Sequence, residues 1–181
     1  MTRFLSFTIT AILGISSCTS AEPFHIFEFD VPAGYTETDT SIVQEHFFSK
    51  GEVSAKVIIT TCKKHETFGS GLRVDISNRD KNRGLLFGLV CDSNTNELFA
   101  GWLVMKGTGD DRSVANSHRV PLKRSVGEEV NLTMQLQDRI ITFQLEDVIF
   151  TRYLSFEPVE AKFFGFGTDG SVQFYRKQPN N

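Results

Sequence analysis

The sequence EVSAKVIITT at residues 52–61 indicates the fold class most clearly. Every second position in it is apolar, and these positions are Val53, Ala55, Val57 and Ile59. The sequence NLTMQLQ at residues 131–137 repeats the alternation with Leu132, Met134 and Leu136. Successive side chains of a strand point to opposite faces, so both stretches are predicted to be half-buried strands.

Shorter runs of the same kind recur along the chain, separated by polar turn residues. Further strands are predicted at 24–30, 42–48, 71–77, 84–91, 97–105, 139–145, 161–167 and 171–176. Asp169-Gly170 is typical of a hairpin turn, and residues 107–118 are predicted to form a mobile surface loop that could border a site. About ten short strands without a convincing helix predict an all-β protein, an antiparallel two-sheet β-sandwich of the jelly-roll type.

The first 21 residues have the pattern of an export signal. Arg3 precedes an apolar run at residues 4–15, and small residues follow up to Ala21, near which a signal peptidase would cut. Alternatively, Ile-Ser-Ser-Cys at residues 15–18 loosely fits a bacterial lipobox, in which Cys18 would be lipidated and become the N-terminus. Either cleavage predicts an extracytoplasmic protein, secreted or lipid-anchored, whose residues 22–181 form a single domain.

Cysteine usage agrees with export. After either cleavage, Cys62 and Cys91 remain as an even pair, and a disulfide between them is predicted for an oxidising compartment. If the intervening strands run alternately up and down, both cysteines end at the same rim of the sandwich. Two buried free thiols are the alternative.

The charge balance excludes some partners. The chain has 19 Lys and Arg against 22 Asp and Glu, a formal net charge of −3, and so lacks the basic surplus of a nucleic-acid-binding protein. The apolar run of the leader is too short for a membrane span, which needs about 20 residues. A membrane is therefore expected as a partner only through a lipid anchor on Cys18.

Several strand-and-turn patterns together resemble a known superfamily. They are GEVSAKV at 51–57, GLRV at 71–74, the paired strands within 130–145, FGFG at 164–167 and SVQFY at 171–175. In this order they are similar to the concanavalin A-like lectin and glucanase superfamily, especially its laminin-G-like and 3-keto-disaccharide hydrolase-like domains. The resemblance covers residues 24–176. It implies a curved sandwich whose concave sheet often binds glycans, in catalytic and non-catalytic members alike.

The catalytic motif of the superfamily's β-glucanases is incomplete in this chain. That motif, Glu-x-Asp-x-x-Glu, places carboxylates on one face of a strand for nucleophile and general acid. Glu28-Phe29-Asp30 supplies the first two, but Val31-Pro32-Ala33 follows and the last glutamate is missing. We therefore expect a non-catalytic protein, with a hydrolase built from carboxylates distant in sequence as the alternative.

Candidate ligand-binding residues follow from the needs of a sugar site, an aromatic platform bordered by hydrogen-bonding groups. The candidates are Trp102, Tyr153 and Tyr175 as platforms and Arg73 and Asp75 as polar lining. For Trp102, core packing is the favoured role and a binding platform is the alternative. The expected partner is a glycan or an extracellular protein, and a structural role in the cell envelope is a further alternative.

No cofactor is predicted, and calcium is the one ion for which candidate ligands were found. Asp92 opens the polar run DSNTNE at residues 92–97, which lacks the glycine and the distal glutamate of an EF-hand loop. A polar hairpin turn is therefore the favoured interpretation of this run, with a calcium-binding loop as the alternative. Asp110 and Asp111 are the other candidate metal ligands, because isolated acidic loops bind calcium in some laminin-G-like domains.

Overall fold

Two antiparallel β-sheets of six strands each form the protein in the computed structural model, which describes residues 22–39, 42–65, 69–107 and 113–176. The first half contains β1 (His25–Asp30), β2 (Thr36–Asp39), α1 (Ile42–Lys50), β3 (Glu52–Cys62), β4 (Ser70–Ser77), β5 (Arg83–Cys91) and β6 (Glu97–Lys106). The second half contains β7 (Ser113–Ser125), β8 (Glu129–Gln137), β9 (Ile140–Leu145), β10 (Val148–Tyr153), β11 (Glu160–Phe166) and β12 (Thr168–Tyr175).

The strand order is β1-β12-β3-β8-β9-β10 in the first sheet and β2-β11-β4-β5-β6-β7 in the second. Both sheets bury alternate side chains against each other, as Val53, Ala55, Val57 and Ile59 of β3 do. The predicted all-β, two-sheet sandwich is therefore confirmed. The sequence 52–61 lies within an inner strand of its sheet, which explains its regular alternation.

An aromatic cluster joins the two sheets. Phe87 of β5 stacks on Phe143 of β9 with ring centroids 4.3 Å apart, and Phe150 of β10 lies beside both rings. Trp102 of β6 packs on Phe150 at 4.5 Å. Two strands of the second sheet thus meet two strands of the first through aromatic contacts, which contribute beyond their buried area.

The strand predicted at residues 42–48 is wrong, because this segment forms α1. Its β-branched and aromatic residues favour a strand locally, but the segment crosses from β2 in one sheet to β3 in the other. As a helix it buries Phe47 completely in the core. Gly51 ends the helix, with a φ of 72° and its N–H donating to the Phe47 carbonyl at 2.7 Å. That left-handed conformation is the usual glycine helix stop.

The hairpin predicted at Asp169-Gly170 is also wrong, because both residues lie inside β12. The register with β3 shifts between them, which is a β-bulge. A Cβ on Gly170 would lie 2.2 Å from the Ile58 carbonyl oxygen. Gly170 therefore allows the backbones of β12 and β3 to approach closely, which is another common reason for a glycine in a strand.

The loop predicted at 107–118 is replaced in part by a strand, because β7 begins at Ser113. β7 is the outermost strand of its sheet, so its side chains include many exposed polar ones. That exposure removes the apolar alternation on which the strand prediction depends. The short edge strand β2 and the edge strand β10 were not predicted either.

The predicted disulfide between Cys62 and Cys91 is confirmed, with their Cα atoms 6.1 Å apart. It links the end of β3 in the first sheet to the end of β5 in the second. In the described ranges, no helix is long and apolar enough to cross a membrane. The leader and Cys18 lie outside the described residues.

Candidate functional site

A groove crosses the outer face of the second sheet. The pairing registers of β4, β5, β6 and β7 align Arg73, Gly88, Gly101 and Arg119 as direct neighbours across the four strands. We call these four residues the arginine–glycine row. The inward neighbours Leu72, Val74, Phe87 and Leu89 are buried, so the row faces away from the core.

The two central glycines create the groove, because they leave the middle of the sheet without side chains. Its volume is about 550 Å³. Apolar side chains from the neighbouring rows border the floor, and these are Leu86, Val90, Leu103 and Phe166. Ser117 and His118 line it at the β7 edge, beside Arg119. The result is an open trough with an apolar floor and guanidinium groups at both ends.

The two glycines differ in how much they tolerate a side chain. A Cβ on Gly88 would lie 2.3 Å from the Leu72 carbonyl oxygen and 2.8 Å from the Arg73 Cα, which are backbone atoms of β4. A Cβ on Gly101 would meet Val90 Cγ2 at 3.4 Å and the His118 carbonyl oxygen at 3.7 Å. Gly88 thus allows two strands to approach, whereas Gly101 keeps the groove open.

We predict that Gly88→Ala lowers the free energy of unfolding by about 1–3 kcal/mol, the usual cost of overpacking. Gly101→Ala, its matched control in the same row, should change it by less than about 0.5 kcal/mol, as for an ordinary surface substitution. Urea unfolding of both variants measures the difference. Equal costs would contradict the close strand approach at Gly88.

Arg73 is held by one carboxylate and two aromatic rings. Its Nε lies 3.1 Å from Asp75 Oδ1 on the same strand. Its guanidinium carbon lies 4.8 Å from the centroid of Phe164 and 5.8 Å from that of Phe166, within cation–π range. Arg73 and Asp75 therefore place a donor next to an acceptor on the outer face of β4, where Arg73 lines the groove.

Arg119 has a different environment at the other end. Its guanidinium carbon lies 3.6 Å from the centroid of Phe99, and its side chain is 44% exposed. Among the residues that the structure describes, its nearest carboxylate is that of Asp92, with Nη2 and Oδ2 3.9 Å apart, beyond hydrogen-bonding distance. Asp92 instead accepts the Asn94 N–H at 2.9 Å, and that hydrogen bond is the main reason why the pKa of Asp92 falls below its usual 3.8.

The residues predicted to bind ligand do not come together. Arg73 and Asp75 lie on the outer face of β4, and Arg73 lines the groove. The backbone of Trp102 borders the groove, but its ring packs between Phe150 and His118. Tyr153 is exposed on β10, and Tyr175 donates to Gln173 Oε1 at 2.8 Å on β12. Both tyrosines belong to the first sheet.

Arg119, Gly88 and Gly101 were not among the predicted site residues. An isolated glycine in the middle of a strand pattern can mark a close approach or an open surface, and both glycines stood within predicted strands. These isolated glycines were the sequence signal that could have indicated the groove. Arg119 directly follows the predicted loop at 107–118, and no sequence pattern indicated it as a site residue.

The predicted calcium ligands are placed only in part. Asp92 begins a turn in which its carboxylate accepts a backbone N–H, as in an Asx-turn. No group of three or more His, Cys, Asp or Glu that could hold a metal occurs among the residues that the structure describes. Asp110 and Asp111 lie outside that part of the chain.

A second depression near β1 and β12 holds carboxylates and therefore bears on the hydrolase alternative. It includes Asp30 and Asp169, and Lys63 pairs with both, at 2.7 Å from Asp30 Oδ1. The hydrogen bond from Lys63 lowers the pKa of Asp169 below its usual 3.8. A glycosidase acid needs a raised pKa, so Asp169 has the electrostatics of an ion-pair partner and not those of a general acid.

No protein-family model and no curated protein matches the chain. Solved structures with a similar arrangement include a carbohydrate-binding module, CBM66, from Bacillus subtilis, at 14% identity and a TM-score of 0.42 over 79% of this chain and 75% of that one. A toad ovary galectin in complex with thio-digalactose is 13% identical with a TM-score of 0.45, over 78% of this chain and 99% of the other. The CBM2 module of the evolved Dit protein of Lactobacillus casei BL23 phage J-1 is 12% identical with a TM-score of 0.45, over 82% and 73%. These similarities to β-sandwich lectins and carbohydrate-binding modules are too low to assign a family or a ligand.

Proposed function

We propose that the protein is a non-catalytic glycan-binding domain that works outside the cytoplasm and binds its ligand in the groove of the second sheet. The observation that carries this proposal is the arginine–glycine row. Two adjacent glycines on neighbouring strands produce a trough with an apolar floor, and arginines with hydrogen-bonding side chains stand at its ends.

The chemistry of the groove suits a sugar. A pyranose has apolar C–H faces and a rim of hydroxyl groups. Its faces can pack on the apolar floor of the groove while its hydroxyl groups form hydrogen bonds with polar side chains at the ends. Leu86, Val90 and Leu103 offer the floor. Arg73 with Asp75 offers a donor and an acceptor, and Ser117 adds a hydroxyl that does both.

The groove is also open and crosses several strands, which suits an oligosaccharide that lies along the surface. The predicted export signal agrees with this proposal, since an exported domain meets extracellular glycans. A protein partner is the second candidate, and it becomes the favoured one if the glycan array is blank.

The proposal predicts that Gly101→Leu abolishes glycan binding without unfolding the protein. The Leu side chain would fill the floor of the groove, and its Cβ meets only the flexible end of Val90 and one carbonyl oxygen at ordinary distances. We expect at least a ~10-fold loss of affinity, or about 1.4 kcal/mol. The measurement is a glycan array run in calcium and again in EDTA, followed by calorimetry with the best ligand.

Thr133→Leu is the matched control, because it adds the same side chain to the outer face of the first sheet. It should bind like the wild type. An array without any bound glycan would contradict the proposed function, as would a Gly101→Leu variant that folds and binds normally. Loss of binding in EDTA would bring the predicted calcium ligands into the site.

A further inference from the structure

The two arginines of the groove are not equivalent. Arg73 makes a close ion pair with Asp75, whereas the guanidinium of Arg119 makes no hydrogen bond to a described residue and lies 3.9 Å from its nearest carboxylate. The Asp92 carboxylate is in turn engaged by the Asn94 N–H. The positive charge of Arg119 is thus less compensated than that of Arg73.

Phe99 orients the guanidinium of Arg119. The guanidinium carbon lies 3.6 Å from the ring centroid, so one flat face of the guanidinium stacks on Phe99. A guanidinium that is stacked in this way can still donate hydrogen bonds to a ligand through the N–H groups at its edge. Such an edge recognises a planar carboxylate or a sulfate with two parallel hydrogen bonds. In the described part of the chain, the other titratable groups at this end are Asp92 and His118, and the His118 ring packs on Trp102.

From this asymmetry we infer that the groove selects an acidic oligosaccharide and binds it in one direction, with an oxyanion of the sugar, a uronate carboxylate or a sulfate ester, seated on Arg119. The inference rests on the proposed glycan-binding function. Neutral hydroxyl groups then occupy the Arg73–Asp75 end, where a donor and an acceptor stand together. Three strand spacings of about 4.8 Å separate the two ends, so a ligand that reaches both is longer than one sugar.

The test compares three forms of oligosaccharide by calorimetry: oligogalacturonate, its carboxyl-reduced neutral counterpart, and a sulfated oligosaccharide. We expect an acidic form to bind at least ~10-fold more tightly than the neutral one, since charge-assisted hydrogen bonds are about twice as strong as neutral ones. The preference should shrink as sodium chloride is raised, because salt screens the exposed charge. The acidic form that binds more tightly shows whether the recognised oxyanion is a carboxylate or a sulfate.

Variants assign the preference to one arginine. Arg119→Gln should abolish the preference for the acidic form, Arg119→Lys should keep part of it, and Arg73→Gln should weaken acidic and neutral ligands alike. Arg176→Gln is the matched control, because Arg176 also lies over a phenyl ring, 5.5 Å from the centroid of Phe24, but outside the groove. It should leave binding unchanged.

The outcomes separate this inference from the proposed function. Equal affinity for acidic and neutral oligosaccharides, with both lost in Gly101→Leu, would overturn the role of Arg119 and leave glycan binding in place. A preference for acidic ligands that survives Arg119→Gln would also overturn it. Failure of all three oligosaccharides to bind, together with a blank glycan array, would contradict the proposed function itself.

Discussion

Replacing Phe143 with alanine is expected to lower the free energy of unfolding by about 3–5 kcal/mol, the range for a fully buried phenylalanine. Phe143 is 0% exposed and stacks on Phe87 across the two sheets. Its removal leaves a cavity between Phe87 and Phe150, at the point where the sheets meet. Urea unfolding followed by tryptophan fluorescence measures the loss, because Trp102 packs on Phe150 in the same cluster.

Phe164→Ala is the matched control for this prediction. Phe164 is half-buried on the outer face of the second sheet, under Arg73. Loss of a partly exposed ring should cost roughly 1 kcal/mol. Equal losses of stability in the two variants would contradict a larger packing contribution from the aromatic cluster than from the outer face.

Replacing Cys62 and Cys91 together with alanine is expected to cost about 3–4 kcal/mol. The bridge closes a loop of 29 residues in sequence separation, and the chain-entropy model assigns a stabilisation of that size to it. It also links β3 in one sheet to β5 in the other, next to Val90, which belongs to the floor of the groove. The change is again measured by urea unfolding.

Reduction of the wild type with dithiothreitol provides the control. The reduced wild type should unfold at the same urea concentration as the double alanine variant, since both lack the covalent link. A wild type whose stability does not respond to dithiothreitol would contradict the bridge. The single variants are less informative, because each leaves one unpaired thiol.

Local alternation was sufficient to predict the inner strands. Val53, Ala55, Val57 and Ile59 point into the core as expected, because an inner strand of a two-layer protein has one dry face. The pattern was insufficient where tertiary context outweighs it. The segment 42–50 forms a helix because it crosses between the sheets. β7 was not predicted because an edge strand lacks a regular apolar face.

The groove could be predicted only in part, because it depends on register between strands. Arg73 was predicted only as a side chain that could line a polar cleft, together with Asp75. Gly88, Gly101 and Arg119 become its neighbours through the pairing of three further strands, which no local pattern encodes. Trp102 was chosen as a binding platform for its aromatic ring. Its position on the strand places that ring on the inter-sheet side, with Phe150.

Nuclear magnetic resonance can map directly which face of the sandwich binds the ligand. The 15N-labelled protein would be titrated with the best oligosaccharide from the array. We predict that the shifted amides cluster at Gly88, Gly101 and Arg119 on the outer face of the second sheet. Shifts clustered instead at Ser54, Thr133 and Gln173 would place the site on the first sheet and contradict ligand binding in the groove.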